Sequence, residues 1–132
     1  MSQFQPWGLL LGRLLLAYIF VMTAIDKMGG FAGNLKYMAS KGVSMAEPLL
    51  AASIALELVA GLMLVVGWKT RWAAWALFAF VLIATVIFHN FWAVPQEQVM
   101  LQTILFRKNL AIMGGLLYVA LLGAGRLSLD KS

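Results

Sequence analysis

Glu57 stands near the middle of residues 45–67, MAEPLLAASIALELVAGLMLVVG, an apolar run long enough to cross a bilayer. A helix needs ~20 apolar residues to span a hydrocarbon layer ~30 Å thick, and a carboxylate at its centre is costly unless paired, protonated or wetted. Two chemistries suit such a group: neutralising a cation so as to fix helix register, or accepting protons and orienting a ligand in a polar cavity. Arg13, inside the first apolar run, is the expected partner. If that helix starts near Trp7, Arg13 lies ~9 Å below one surface and Glu57 ~15 Å, a difference of ~6 Å that an arginine side chain bridges. The expectation is a buried polar pair, Arg13 with Glu57.

A second group of polar residues falls at the opposite ends of the apolar runs: Asp26 and Lys27, His89 and Asn90, and Arg107, Lys108 and Asn109. Asp26, Lys27, His89, Asn90, Lys108 and Asn109 form a candidate ligand pocket for a lipid phosphate or for an anionic or quinone-like molecule. One histidine and no cysteine leave no ordinary metal-ligand set, so no metal site is expected. Thiol redox chemistry and disulfides are likewise excluded within the chain. GGFAG at 29–33 lacks the strand, helix and lysine of a nucleotide loop, and there is no nucleophile elbow.

The elements that must position these residues follow from composition. Of 132 residues 63% are hydrophobic and 11% charged, too apolar for a soluble domain of this size. The net charge of +5 is spread over the ends of apolar runs and forms no continuous basic patch, which argues for anionic lipid head groups and against nucleic acid. The first run is a retained helix and not a signal peptide, because Arg13 interrupts it and no basic stretch precedes it.

Read in order, residues 1–6 are a short polar tail, and Trp7 marks entry into the interface. Four spans are predicted at about 7–25, 46–66, 72–91 and 106–124, in one domain covering 1–132. Residues 34–41 suit a short interfacial helix ended by Gly42, and Gly8 with Gly12 make a small-xxx-small pattern open to close helix approach. The last apolar run is short, so its helix is expected to begin before Arg107 and Lys108, with both snorkelling outward. Residues 58–65 echo 112–119, through a parallel internal repeat or through chance. The fold class is an all-α integral membrane four-helix bundle.

Four crossings place both termini on one side. Arg13, Lys69, Arg71, Arg126 and Lys131 fall on that side and Lys27, Lys36, Lys41, Arg107 and Lys108 on the other, so the cation count is even. The short turn with Lys69 and Arg71 favours a cytoplasmic position for the termini.

The order of GRLLLAYIFVMTAIDKMGGF, YMASKGV, ELVAGLMLVVGWKTRWAA, FHNFW, FRKNLAIMGGLL and GAGRLSLD resembles the DoxX family of small four-helix bacterial membrane proteins over nearly the whole chain. Gly123-Ala124-Gly125 stands where the family usually has Gly-Pro-Gly. The resemblance implies a bacterial inner-membrane location. Its named members include the membrane subunit of a thiosulfate:quinone oxidoreductase and a component of a membrane oxidoreductase complex acting with superoxide dismutase and a sulfurtransferase. Without cysteine, any thiol or thiosulfate chemistry would belong to a partner or to a non-thiol mechanism.

The leading functional expectation is an accessory or anchoring subunit of a redox or stress-related membrane system, not a self-contained enzyme. It would hold a quinone or lipid near Glu57 and His89, with oxidoreductase partners or a second copy of the chain beside it. The alternatives are a small carrier or lipid-handling protein in which Glu57 titrates, and a purely structural membrane protein.

Overall fold

The computed structural model describes residues 3–132, so that Met1 and Ser2 of the predicted polar tail lie outside the described residues. The chain is all-helical: α1 Gln5–Gly29, α2 Phe31–Ser40, α3 Ala46–Val66, α4 Thr70–Phe88, a 3-10 turn Phe91–Ala93, and α5 Gln96–Leu122. Four segments are long and apolar enough to cross a membrane: α1, α3, α4 with its following turn, and α5. Their outer faces are unscreened apolar surface, with Leu11, Leu15, Val59, Leu62, Ile83 and Leu121 all exposed. A surface of that kind suits lipid tails.

α1 opens with Pro6 in its first turn, where the missing N–H costs nothing, and runs on past Ile25 to Gly29. α5 starts just after Pro95 and passes through Arg107-Lys108-Asn109 without a break. Arginine and lysine are good helix formers, and both side chains are exposed here as snorkelling requires. α4 ends at Phe88, earlier than the hydropathy run suggests, with the His89 N–H making the last helical bond to Thr85 O.

α1 packs chiefly along α3, and α4 along α5. The larger core cluster is built on small residues, Ala17, Ala60, Ala73, Ala74 and Ala120, around Phe20, Leu64, Leu77 and Leu116. Small side chains let membrane helices approach closely, which is where van der Waals packing replaces the hydrophobic effect. Gly61 marks the tightest approach: a Cβ there would lie 2.9 Å from Val21 Cγ2 and 3.4 Å from Val21 N. Gly8 and Gly12 do not serve this purpose, because no atom of another helix lies within 4 Å of either Cβ position. A second cluster, Ala24, Leu50 and Ile54, is covered by Phe31, Leu35 and Met38 of α2, so the short helix lies across the end of α1 and the start of α3.

The bundle end that holds both termini is closed by main-chain bookkeeping. α3 stops at Gly67, whose left-handed φ of +71° lets Gly67 N and Trp68 N both donate to Met63 O. The next carbonyls all find partners. Arg13 donates to Leu64 O at 2.6 Å and Val65 O at 3.3 Å, Leu129 N to Val66 O, and Asp130 N to Gly67 O. Arg13 also reaches the tail, donating to Ala124 O at 2.7 Å and Leu127 O at 2.9 Å. Asp130 returns the favour to α4, accepting from Lys69 N and Thr70 N at 2.8 Å each, and Arg71 donates to Leu121 O and Leu122 O at the end of α5.

Partial desolvation raises the Asp130 carboxyl, but the Thr70 and Lys69 donors and the nearby Arg13 charge outweigh it and hold the group below its ordinary range.

Candidate functional site

The expected Arg13–Glu57 pair does not form. Both side chains are buried, at 3% exposure each, but Arg13 spends its guanidinium on four backbone carbonyls and Glu57 takes its ion pair from Lys27. The reason is register. Arg13 lies against Leu64 and Val65, seven residues or ~10 Å along α3 from Glu57, while α1 continues as helix far enough to carry Lys27 back toward Glu57. A helix ended at Ile25 hides that partner, whereas one ended at Gly29 reveals it.

Lys27 and Glu57 lie on the wall of a partly open cavity of about 550 Å³ at the bundle end opposite the termini. Every helix contributes to it. The inner wall is apolar, with Ile19 and Phe20 from α1, Leu50 and Leu56 from α3, Phe80 and Val81 from α4, and Ile112 from α5. The polar rim carries Lys27, Asn34, Tyr37, His89, Lys108 and Asn109. Lys27 Nζ also lies 5.1 Å from the Phe80 ring centre, a contact that favours the ammonium.

The rim is held by short-range polar contacts. Asn109 Nδ2 donates to Thr85 Oγ1 at 3.0 Å, and Thr85 donates in turn to Val81 O, so α5 and α4 are locked at this depth. His89 Nδ1 bonds the side-chain oxygen of buried Gln102 at 2.8 Å, which leaves the other ring nitrogen without a partner among the described residues. Tyr37 stacks on Phe88, centroids 5.6 Å apart, and donates its hydroxyl to Phe88 O at 3.3 Å, tying α2 to the end of α4. Burial raises the Tyr37 phenol above its ordinary value, so it remains a donor at neutral pH.

Of the six residues expected to line a pocket, Lys27, His89, Lys108 and Asn109 do so. Asp26 is exposed on the other side of α1, one residue and ~100° of helix from Lys27. Asn90 follows the end of α4 and turns away from the cavity, its side-chain oxygen buried without a hydrogen-bond partner among the described residues. Tyr37, Asn34, Gln102 and Thr85 were not singled out by sequence. Thr85 and Gln102 carried a signal, as polar side chains facing inward on apolar helices. Tyr37 carried none, because only the stacking on Phe88 gives it a place. No group of three or more metal-ligating side chains occurs among the described residues.

A four-span helical bundle with a polar-rimmed, apolar-walled cavity at one end defines the class: a small polytopic membrane protein with an intramembrane pocket. The chain belongs to the DoxX family, whose family model matches residues 8–90. It is 40% identical over 130 residues to an Escherichia coli protein named inner membrane protein YphA, covering 96% of this chain and 91% of that one. Inner membrane protein YqjF of Escherichia coli is 33% identical over 132 residues, covering 99% and 95%. A Schizosaccharomyces pombe surfeit locus protein 4 homolog is 30% identical over 124 residues, which is 92% of this chain but 36% of that longer protein. No solved structure matches the chain.

Proposed function

We propose that this chain is an inner-membrane accessory subunit of a redox or stress-related system, and that its own task is to hold a lipid-soluble ligand with a polar head, a quinone or a lipid, in the cavity rimmed by Lys27, His89 and Lys108. The observation that carries the reading is the cavity itself. About 550 Å³ falls within the range of small-molecule sites, and it combines an apolar wall with a few convergent polar groups. Lys27 has N–H donors to spare beyond the bond to Glu57, and one Glu57 oxygen accepts nothing from the described residues, so a carbonyl or hydroxyl head finds both donor and acceptor. The inner-membrane location rests on the names of the two Escherichia coli relatives, and the cytoplasmic position of the termini on the short turn carrying Lys69 and Arg71.

The test is chemical. Protein purified with its surrounding membrane is extracted and the bound small molecules identified, for the wild type and for Ala84→Phe, which fills the cavity from the α4 wall. One amphiphile enriched over bulk lipid in the wild type and lost in the variant supports the reading. Equal lipid content in both variants overturns it.

A further inference from the structure

The charges lining the cavity do not cancel. Lys27 and Glu57 satisfy each other, whereas Lys108 makes no ion pair and no hydrogen bond among the described residues. Two ammonium groups and one carboxylate leave the cavity with one positive charge. That surplus sits on α5 at the cavity rim, next to Asn109, whose bond to Thr85 puts it one turn from the end of α4. An ammonium at the mouth of an apolar-walled cavity favours an anion more strongly than one surrounded by water.

We infer that the ligand is a singly charged anionic amphiphile, with Lys108 reading its carboxylate or phosphodiester head and the wall from Phe20 to Ile112 taking its chain. The inference rests on the amphiphile-binding reading above and narrows it away from a neutral quinone. Size agrees: at ~30 Å³ per water-sized group the cavity holds roughly 18 such groups, one long acyl chain with its head and not a whole two-chain lipid. A fatty acid would enter entirely, and a phosphodiester lipid would insert one chain and leave the other in the bilayer. Lys27 is the lesser contributor to recognition because Glu57 already holds it.

Arg107 supplies the control. It is adjacent to Lys108, equally cationic and exposed, but does not line the cavity. Delipidated full-length protein in nonionic detergent is titrated with palmitate, dioleoylphosphatidylglycerol, dioleoylphosphatidylcholine and a short-chain ubiquinone, and retained ligand is read by native mass spectrometry. The expected result is one equivalent of an anionic ligand, and a loss of roughly tenfold or more in its affinity in Lys108→Gln, the scale of one charge-assisted hydrogen bond. Arg107→Gln should stay within about twofold, since its charge does not line the cavity and an exposed charge contributes little. Preference for palmitate alone assigns the carboxylate, and for phosphatidylglycerol alone the phosphodiester; either supports the inference.

Equal losses in the two variants mean diffuse surface attraction and overturn it. Ubiquinone bound as tightly as the anions, unaffected by Lys108→Gln but abolished by Ala84→Phe, overturns it while leaving the amphiphile reading intact. If Ala84→Phe and a second filling variant, Ser53→Phe on the α3 wall, leave every ligand bound, both readings fall.

Discussion

Replacing Arg13 by methionine keeps most of the side-chain volume and removes all of its donors, which makes it the sharpest probe of how the terminal end is closed. The loss strands four carbonyls. Those of Leu64 and Ala124 accept buried bonds, and those of Val65 and Leu127 partly buried ones. Val65 and Leu127 can recruit water at the bundle end, so the cost falls mainly on the two buried oxygens, at ~1–3 kcal/mol each for an unsatisfied buried group. The guanidinium's own desolvation, relieved by the change, offsets part of this. The two oxygens together set an upper range of about 2–6 kcal/mol, which the offset reduces. The loss is measured as a shift in denaturant unfolding followed by tryptophan fluorescence, for which Trp68 and Trp72 flank the affected turn. Lysine at position 13 should recover only a fraction, because a single ammonium cannot fork to both α3 and the tail. The decisive measurement is a pair of double-mutant cycles. Arg13→Met should couple strongly to deletion of residues 126–132 and be additive with Glu57→Gln to within ~0.5 kcal/mol. Additivity with the deletion together with coupling to Glu57 would refute the assignment and restore a direct Arg13–Glu57 interaction.

The other predictions concern smaller sites. Lys27→Met should cost about 3 kcal/mol by leaving the Glu57 carboxylate buried and uncompensated, and Lys27→Met with Glu57→Gln should be more stable than Lys27→Met alone, by the same unfolding assay. Because the folded Asp130 carboxyl titrates below its unfolded value of ~3.9, its contribution is complete above that pH and disappears as pH falls through the folded value. Protection of the Lys69 and Thr70 amides, taken relative to their intrinsic exchange rates, should fall on acidification into that range in the wild type, and Asp130→Ala should lack that protection at every pH. Gly61→Ala should destabilise by about 1–3 kcal/mol, since its Cβ meets Val21 Cγ2 at 2.9 Å with backbone behind it, and Val21→Ala should relieve most of that cost. Unchanged stability in Gly61→Ala would mean that α1 and α3 are not in close contact there.

Much of this architecture is written in single residues, and the parts that are not fail for definite reasons. The four spans and the short helix after the first follow from apolar run length and from glycines at the breaks, and Gly67 and Gly42, with φ of +71° and +78°, stop the chain where their sequence positions suggest. Burial of Arg13 and Glu57 was legible from depth alone; their pairing was not, because depth assigns no partner until helix ends are known. Moving the end of α1 from Ile25 to Gly29 changes which cation meets Glu57. Hydropathy also understates α5, whose first ten residues include Gln96, Glu97, Gln98 and Gln102 and read as a loop plus a fragment, though their helix propensities are good. The C-terminal tail was the least readable element. Its role depends on backbone carbonyls of α3 that no side-chain pattern encodes.

The two ends of the bundle treat polar groups in opposite ways, and this contrast is the strongest argument for where function resides. At the terminal end most donors and acceptors have their match: Arg13 and Arg71 cover helix carbonyls, Asp130 covers helix amides and the tail adds further bonds, the buried Thr70 hydroxyl being the exception among the described residues. Such closure serves stability and leaves little to offer a ligand, since the Thr70 hydroxyl is fully buried. At the opposite end, among the described residues, Lys27 has hydrogens to spare, Glu57 has a free oxygen, His89 a free nitrogen and Lys108 no partner, all around a cavity that packing could have filled with larger side chains at Ala52, Ser53 and Ala84. Unused hydrogen-bonding capacity inside a membrane is expensive to maintain. Substitutions at the terminal end should therefore move unfolding without moving ligand content, and conservative substitutions on the cavity rim outside the Lys27–Glu57 pair should do the reverse.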